Sequence, residues 1–329
     1  MHIVRRLCLA LLALATAVPA AVAQGRSVDD LVAAVVQIKT FINPDGRTTG
    51  NLGHERSGTG VVIDDKGHVL TIGYLMVEAY AAELVLTDGR TVSAVVAGYD
   101  HDTGFGLLRA GAALKVKPMA VGRSSEIKTG DRVMIAGHGG VDRLAAATVA
   151  ARREFAGNWE YLLDDAIFTT PPYPDWSGAA LLNRAGALVG IGSLTVREAA
   201  VEGERKPGNM FVPIDLLAPI LADLVAQGHA GRPPRPWLGV NADIVDGRLQ
   251  VSRVTPGGPA EMAGLGRGDV ISGVAGEQPK TLGEFYRALW AKGGAGTIVP
   301  LDVIQDREKR RLDLRSMNRL DHLRLKSTF

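Results

Sequence analysis

From Gly58 onward the chain runs in short apolar stretches broken by turn residues. GTGVVID (58–64) and HVLTIGYLM (68–76) flank the turn DDKG, and ELVLT (83–87) and RTVSAVVAGYD (90–100) flank Asp88-Gly89. Runs of this length, rich in β-branched residues and punctuated by Asp-Gly, predict antiparallel hairpins rather than βαβ units. A second group follows at RVMIAGH (132–138), AAATVAAR (145–152), YLLDDAIFTT (161–170) and ALVGIGSL (187–194). The first set ends near Ala110 and the second begins near Asp131, which predicts two packed β-barrels. Upstream, Ser27 caps a short helix and residues 34–40 read as a strand.

The period changes at residues 213–227, where Ile214, Leu217, Ile220, Leu221 and Leu224 recur at helical spacing and Gly228 supplies a stop. GHAGRPPRP (228–236) reads as a Gly/Pro-rich linker. Beyond it, residues 237–315 hold further strands, a short helix at 260–263 and a longer one at 282–292, the pattern of a separate small domain. Residues 316–329 form a basic extension, either helical or mobile.

Composition adds an address. Residues 1–23 carry Arg5-Arg6, an apolar run over 7–14 and the small-residue pattern Ala21-Val22-Ala23, which predicts a secretory signal cut before Gln24 and a periplasmic mature protein without a transmembrane segment. The single cysteine, Cys8, lies inside that signal, so no disulfide or thiol chemistry is expected. Of 37 basic residues, Arg5 and Arg6 leave with the signal, and the remainder equal the 35 acidic ones. Such a neutral chain is a poor general binder of nucleic acid or anionic membrane. No His/Cys/carboxylate cluster has metal-ligand spacing and AGHGGVD lacks the lysine of a phosphate loop, so neither a metal nor a cofactor is expected.

Seven separated motifs in order, SGTGVVIDDKGHVLT, LTDGRTVSAVVAGYD, WSGAALLNRAGALVGI, FVPIDLL, PWLGV, PAEMAGLGRGDVI and VPLDVIQD, make residues 30–315 resemble the HtrA (Deg) family of exported trypsin-like serine proteases. The resemblance implies a mainly β chain: a trypsin-like double β-barrel (24–227), then the linker and an α+β PDZ domain (237–315). It also implies a serine nucleophile at Ser177, a histidine base where Tyr74 stands, an orienting aspartate where Gly104 stands, and an oxyanion-hole glycine where Asp175 stands.

Those replacements decide the functional expectation. A phenol with a pKa near ~10 is a poor acceptor for a serine proton at neutral pH, and glycine orients nothing. Asp175 puts a side chain and a carboxylate where close backbone approach and developing negative charge are needed. TTPPYP (169–174) removes backbone donors from the approach to the site. Loss of the base costs roughly 10⁶ in turnover, and loss of an oxyanion donor roughly 10²–10³. The expectation is a catalytically impaired chain with Ser177 as a relic. The alternative is an active endopeptidase using His138, or a shifted His101/Asp102 pair, as a non-standard base.

The PDZ resemblance implies that Trp237, Leu238, Gly239 and Val240 form the loop that receives a peptide's terminal carboxylate, with Leu238 and Val240 lining the pocket for the last side chain. Expected partners are therefore peptide C-termini or unfolded segments. The resemblance also implies a homo-oligomer or pairing with an intact relative.

Overall fold

A computed structural model describes residues 27–201 and 203–325; the expected signal lies outside them. α1 (Val28–Ala33) begins where Ser27 Oγ accepts the Asp30 N–H at 3.0 Å. Six strands then close the first barrel: β1 (Val35–Ile42), β2 (Glu55–Val62), β3 (His68–Ile72), β4 (Ala79–Val85), β5 (Thr91–Tyr99) and β6 (Phe105–Ala110), in the order β1-β2-β3-β6-β5-β4. A one-turn helix, α2 (Thr49–Leu52), interrupts the first connection. The predicted turns have local causes: Asp64 accepts the N–H groups of Lys66 and His68, and Asp88 that of Arg90.

The second barrel comprises β7 (Arg132–Ala136), β8 (Leu144–Gly157), β9 (Tyr161–Thr170), β10 (Ala180–Leu182), β11 (Leu188–Val196) and β12 (Gly208–Pro213), in the order β10-β11-β12-β9-β8-β7. β8 runs five residues past the predicted strand. Its polar RREFAG end hides the continuation, yet it stays paired with β9 down to Gly157 opposite Tyr161. The hairpin thereby reaches out of the barrel.

The helix predicted over 213–227 is shorter. Residues 214–216 form a 3₁₀ turn and only α3 (Leu221–Gln227) is α-helical. Pro219 lacks an N–H and disfavours helix at the residue before it. The predicted apolar positions Ile214, Leu217, Ile220 and Leu224 are nevertheless buried, and Gly228 ends the helix at φ 78°.

Residues 228–236 run against the first barrel. Arg232 meets Asp100 at 2.7 Å and Asp102 at 3.0 Å, Arg235 meets Asp102 at 3.2 Å, and Ala230 is buried. The last domain is one five-stranded sheet in sequential order, β13 (Val240–Val245), β14 (Arg248–Val254), β15 (Val270–Val274), β16 (Ile298–Gln305) and β17 (Glu308–Arg315), with α4 (Pro259–Met262) and α5 (Leu282–Trp290). The basic extension packs back as α6 (Arg319–His322): His322 lies on the Trp237 ring at 4.8 Å, and the Arg324 N–H reaches buried Glu78 at 2.7 Å. Among the described residues no helix is long and apolar enough to cross a membrane.

The barrels meet at a tight seam, where the Thr59 N–H donates to the Ser177 carbonyl at 2.8 Å. Gly178 has φ 74°, and a Cβ there would lie 1.9 Å from the Thr59 carbonyl oxygen. Gly178→Ala should lower the unfolding free energy by at least about 2 kcal/mol, read from the denaturant midpoint.

Candidate functional site

Tyr74 sits on the turn that follows β3, which is held by the Gly73 N–H on the Gly104 carbonyl (2.7 Å) and by the guanidinium of buried Arg56 on the carbonyls of Tyr74 (2.7 Å) and Val77 (3.1 Å). Burial lowers the Arg56 pKa to about 10. This turn aims the phenol at the second barrel, where its oxygen lies 2.9 Å from both Ser177 Oγ and the Ser193 carbonyl. Burial pushes the phenol up to about 12, ahead of the opposing hydrogen bonds from Ser177 and Trp176. Tyr74 is thus a neutral hydrogen-bond partner of Ser177, with no free basic nitrogen to take its proton.

Gly104 stands at φ 81°, and a Cβ there would lie 3.0 Å from the Tyr161 hydroxyl and 3.3 Å from Ile72 Cδ1. Tyr161 is buried and donates to the Thr103 carbonyl at 2.7 Å. Its phenol fills the space a side chain at 104 would need. The shifted pair does not fill the gap either. Asp102 faces Arg232 and Arg235, and His101 is enclosed among Tyr99 (3.0 Å), Arg319 (2.7 Å) and the Glu160 carbonyl (3.3 Å). Burial and then the Arg319 charge hold the His101 pKa well below the usual imidazole value.

His138 Nδ1 lies 3.1 Å from Thr59 Oγ1, and among the described residues no hydrogen bond joins His138 to Ser177. Burial lowers its pKa, against the pull of Asp175. The Asp175 carboxylate is half-exposed and paired with Arg143 at 2.9 Å. Tyr173, from TTPPYP, is buried and donates to the Arg143 carbonyl at 3.0 Å, which closes that wall. Among the described residues no group of three or more His, Cys, Asp or Glu is placed to hold a metal ion.

In the last domain the loop at Leu238-Gly239-Val240 already holds a carboxylate. Glu160, in the turn between β8 and β9, accepts the N–H groups of Leu238 (3.0 Å), Gly239 (2.6 Å) and Val240 (2.9 Å). The Trp237 N–H is taken by the Met317 carbonyl at 3.0 Å. The turn also occupies the outer edge of β13, where the Ala242 N–H donates to the Asn158 carbonyl at 3.3 Å and Asn158 Nδ2 to Asp243 at 2.9 Å. From α5, Tyr286 donates to the Gly157 carbonyl at 2.6 Å, and its oxygen accepts the Glu160 N–H at 3.2 Å. Leu162 joins the apolar cluster of Leu238, Val240 and Phe285. Residues 157–162 therefore make the contacts a bound peptide would make: a carboxylate on the loop, a backbone bond to the sheet edge and an apolar side chain in the core. Burial pushes the Glu160 carboxyl up to about 7, against the three N–H bonds that favour its charge.

Glu160, Tyr161, Arg56 and Glu78 escape a reading of the sequence. Glu160 lies in GNWEY, an ordinary polar turn by local pattern, and its partners are some eighty residues away. The only available signal is chemical: a loop built to receive a carboxylate asks which carboxylate reaches it.

Restoring an acid by Gly104→Asp should fail. A side chain at φ 81° against the Tyr161 hydroxyl should cost about 2 kcal/mol or more, seen as a lowered melting temperature.

Comparison with known proteins places this geometry in a family. Residues 58–191 match the trypsin-like peptidase domain and residues 236–315 the PDZ domain. The chain is 31% identical over 290 residues to the putative serine protease HhoA of Synechocystis sp., covering 78% of this chain and 69% of that protein. It is 26% identical to the serine endoprotease DegS of Salmonella typhimurium (76% and 73%), and 29% identical to a probable periplasmic serine endoprotease DegP-like of Hahella chejuensis (70% and 50%). The chain thus spans half to about three quarters of the length of these relatives. The solved HtrA-type protease AlgW with a decapeptide has the same fold, with TM-score 0.53, 21% identity, and coverage of 89% of this chain and 99% of that one. With a trypsin-like double barrel followed by a PDZ domain, the chain belongs to the HtrA family of serine proteases.

Proposed function

We propose that this chain is an HtrA-family protein that no longer cleaves peptide bonds and acts as a peptide-binding, scaffold or regulatory factor of the cell envelope. The observation that carries the reading is the phenol of Tyr74 on Ser177: the nucleophile's partner is neutral and non-basic, and the space for an orienting acid is filled by Tyr161. Residual catalysis in a site without its base leans on an intact oxyanion hole, and here a residue with a side chain replaces the family's glycine at Asp175. Export to the periplasm belongs to the same proposal, supported by the signal-like residues 1–23 and by relatives of periplasmic name.

The test is cleavage of casein by the purified protein beside Ser177→Ala, with a serine-reactive fluorophosphonate probe on both. The proposal expects no cleavage and no labelling in either. Hydrolysis and labelling that disappear together in Ser177→Ala would sink it.

Peptide recognition enters as displacement. An incoming C-terminus needs the same three N–H groups that Glu160 holds, so the internal turn competes with every external ligand. Glu160→Ala should bind C-terminal peptides at least about tenfold more tightly than the wild type, because the competitor loses its charged hydrogen bonds. Equal affinity, measured by fluorescence anisotropy with a labelled peptide ending in an apolar residue, would remove the competition from the account.

A further inference from the structure

Behind the turn that fills the PDZ groove, the barrels, the PDZ domain and the basic extension line an open cavity of about 450 Å³. This is small-molecule size. Aromatic side chains, Tyr74, Trp159, Tyr161, Trp176 and Trp237 among them, line part of it beside aliphatic ones such as Ile72, Val77 and Leu194. Three arginines also line it: Arg47 and Arg253, both exposed, and half-buried Arg319. None of the lining residues is acidic.

The arginines are not neutralised in another way. Among the described residues none of the three has a carboxylate within ion-pair distance. Their guanidinium groups instead donate to neutral acceptors: Arg47 to the Pro256 carbonyl (3.3 Å), Arg253 to Asn51 Oδ1 (2.6 Å), Arg319 to the Trp159 carbonyl (2.8 Å) and His101 (2.7 Å). A guanidinium carries five N–H donors, so each keeps some in reserve. The nearby carboxylates are spent elsewhere, Glu78 on the N–H groups of Arg47, Thr48 and Arg324, and Glu160 on the PDZ loop. His322, also in the wall, has a buried Nε2 without a partner among the described residues. Both wall histidines register the nearby arginines: after burial, the charge of Arg319 lowers the pKa of His101, and those of Arg47 and Arg319 lower that of His322 against an opposing pull from Glu78.

Three arginines beside aromatic rings, with no acidic residue in the lining, favour an anion with an apolar body. We propose that this cavity is a binding site for a small organic anion, an apolar-bodied carboxylate, held by its body against the aromatic rings and by its head at the arginines. The site shares Trp159, Tyr161 and Trp237 with the surroundings of the PDZ loop and Tyr74 with the candidate catalytic site, while its arginines belong to neither, and its occupancy does not require Ser177 to react. Because its walls come from both barrels and the PDZ domain, an occupant favours the docked arrangement of the domains.

Three of the four tryptophans, Trp159, Trp176 and Trp237, line the cavity, so intrinsic fluorescence reports on it directly. The experiment titrates 4-phenylbutyrate, and its uncharged isostere 4-phenylbutanamide, into the full chain and into the Arg47→Met/Arg253→Met double variant. Both substituted side chains are exposed, and circular dichroism checks that the variant is folded. The expected result is a saturable change with the acid, binding at least about tenfold weaker for the amide, and loss of that preference in the double variant. Equal binding of acid and amide by the wild type would overturn the proposal, as would a preference that survives in the variant. So would the lack of any saturable change up to about 10 mM. The acid-to-amide comparison in the wild type stands whether or not the variant folds.

Discussion

Glu160 brings a carboxylate into a fully buried position between two domains, and such a group is tolerated only where donors surround it. Three consecutive N–H groups of the PDZ loop provide them. Much else is arranged around that contact. The β8–β9 hairpin must run past the barrel to deliver the turn, and Tyr286 must meet it from α5. Arg287 ties the same helix to Glu154 and Asp164 on the hairpin's flanks. Hydrogen bonds to a charged group are worth about 1.5–3 kcal/mol each, while burying the charge costs several. The two nearly offset, so the contact fixes register and orientation more than it adds stability.

The candidate catalytic positions form a second, mutually consistent set. The phenol of Tyr74 lies against Ser177 Oγ, and Tyr161 fills the space beside Gly104. Tyr161 follows Glu160 directly, so the residue that closes the acid's position and the residue that closes the PDZ loop belong to one turn. Trp159 and Tyr161 also form part of the wall of the arginine-lined cavity, which makes the turn the meeting point of all three features.

The barrels are legible in the sequence because their causes are local: Asp64 and Asp88 close their turns, and β-branched runs alternate or lie wholly buried between them. The candidate catalytic positions are legible for a different reason, since spacing within a family pattern points to 74, 104 and 177 without any knowledge of their contacts. Local pattern fails where tertiary contact overrides it. Pro219 shortens a helix whose apolar spacing continues through it, and the charged end of β8 remains a strand because its partner and the PDZ helix hold it. The basic extension reads as either helical or mobile, and contacts with Glu78 and Trp237, which no local pattern shows, settle residues 319–322 as a helix against the body of the protein. Glu160 is the extreme case, for its role depends entirely on residues far along the chain.

Hydrogen exchange at the amides of Leu238, Gly239 and Val240 in the intact protein, compared with Glu160→Ala, tests the internal ligand most directly. If the turn holds the loop, these amides are strongly protected in the wild type and exchange roughly 30-fold faster or more in the variant, the equivalent of about 2 kcal/mol of lost hydrogen bonding. Rapid exchange in the wild type, or identical protection in both proteins, would contradict the account, since the loop would then be open or closed by something other than Glu160.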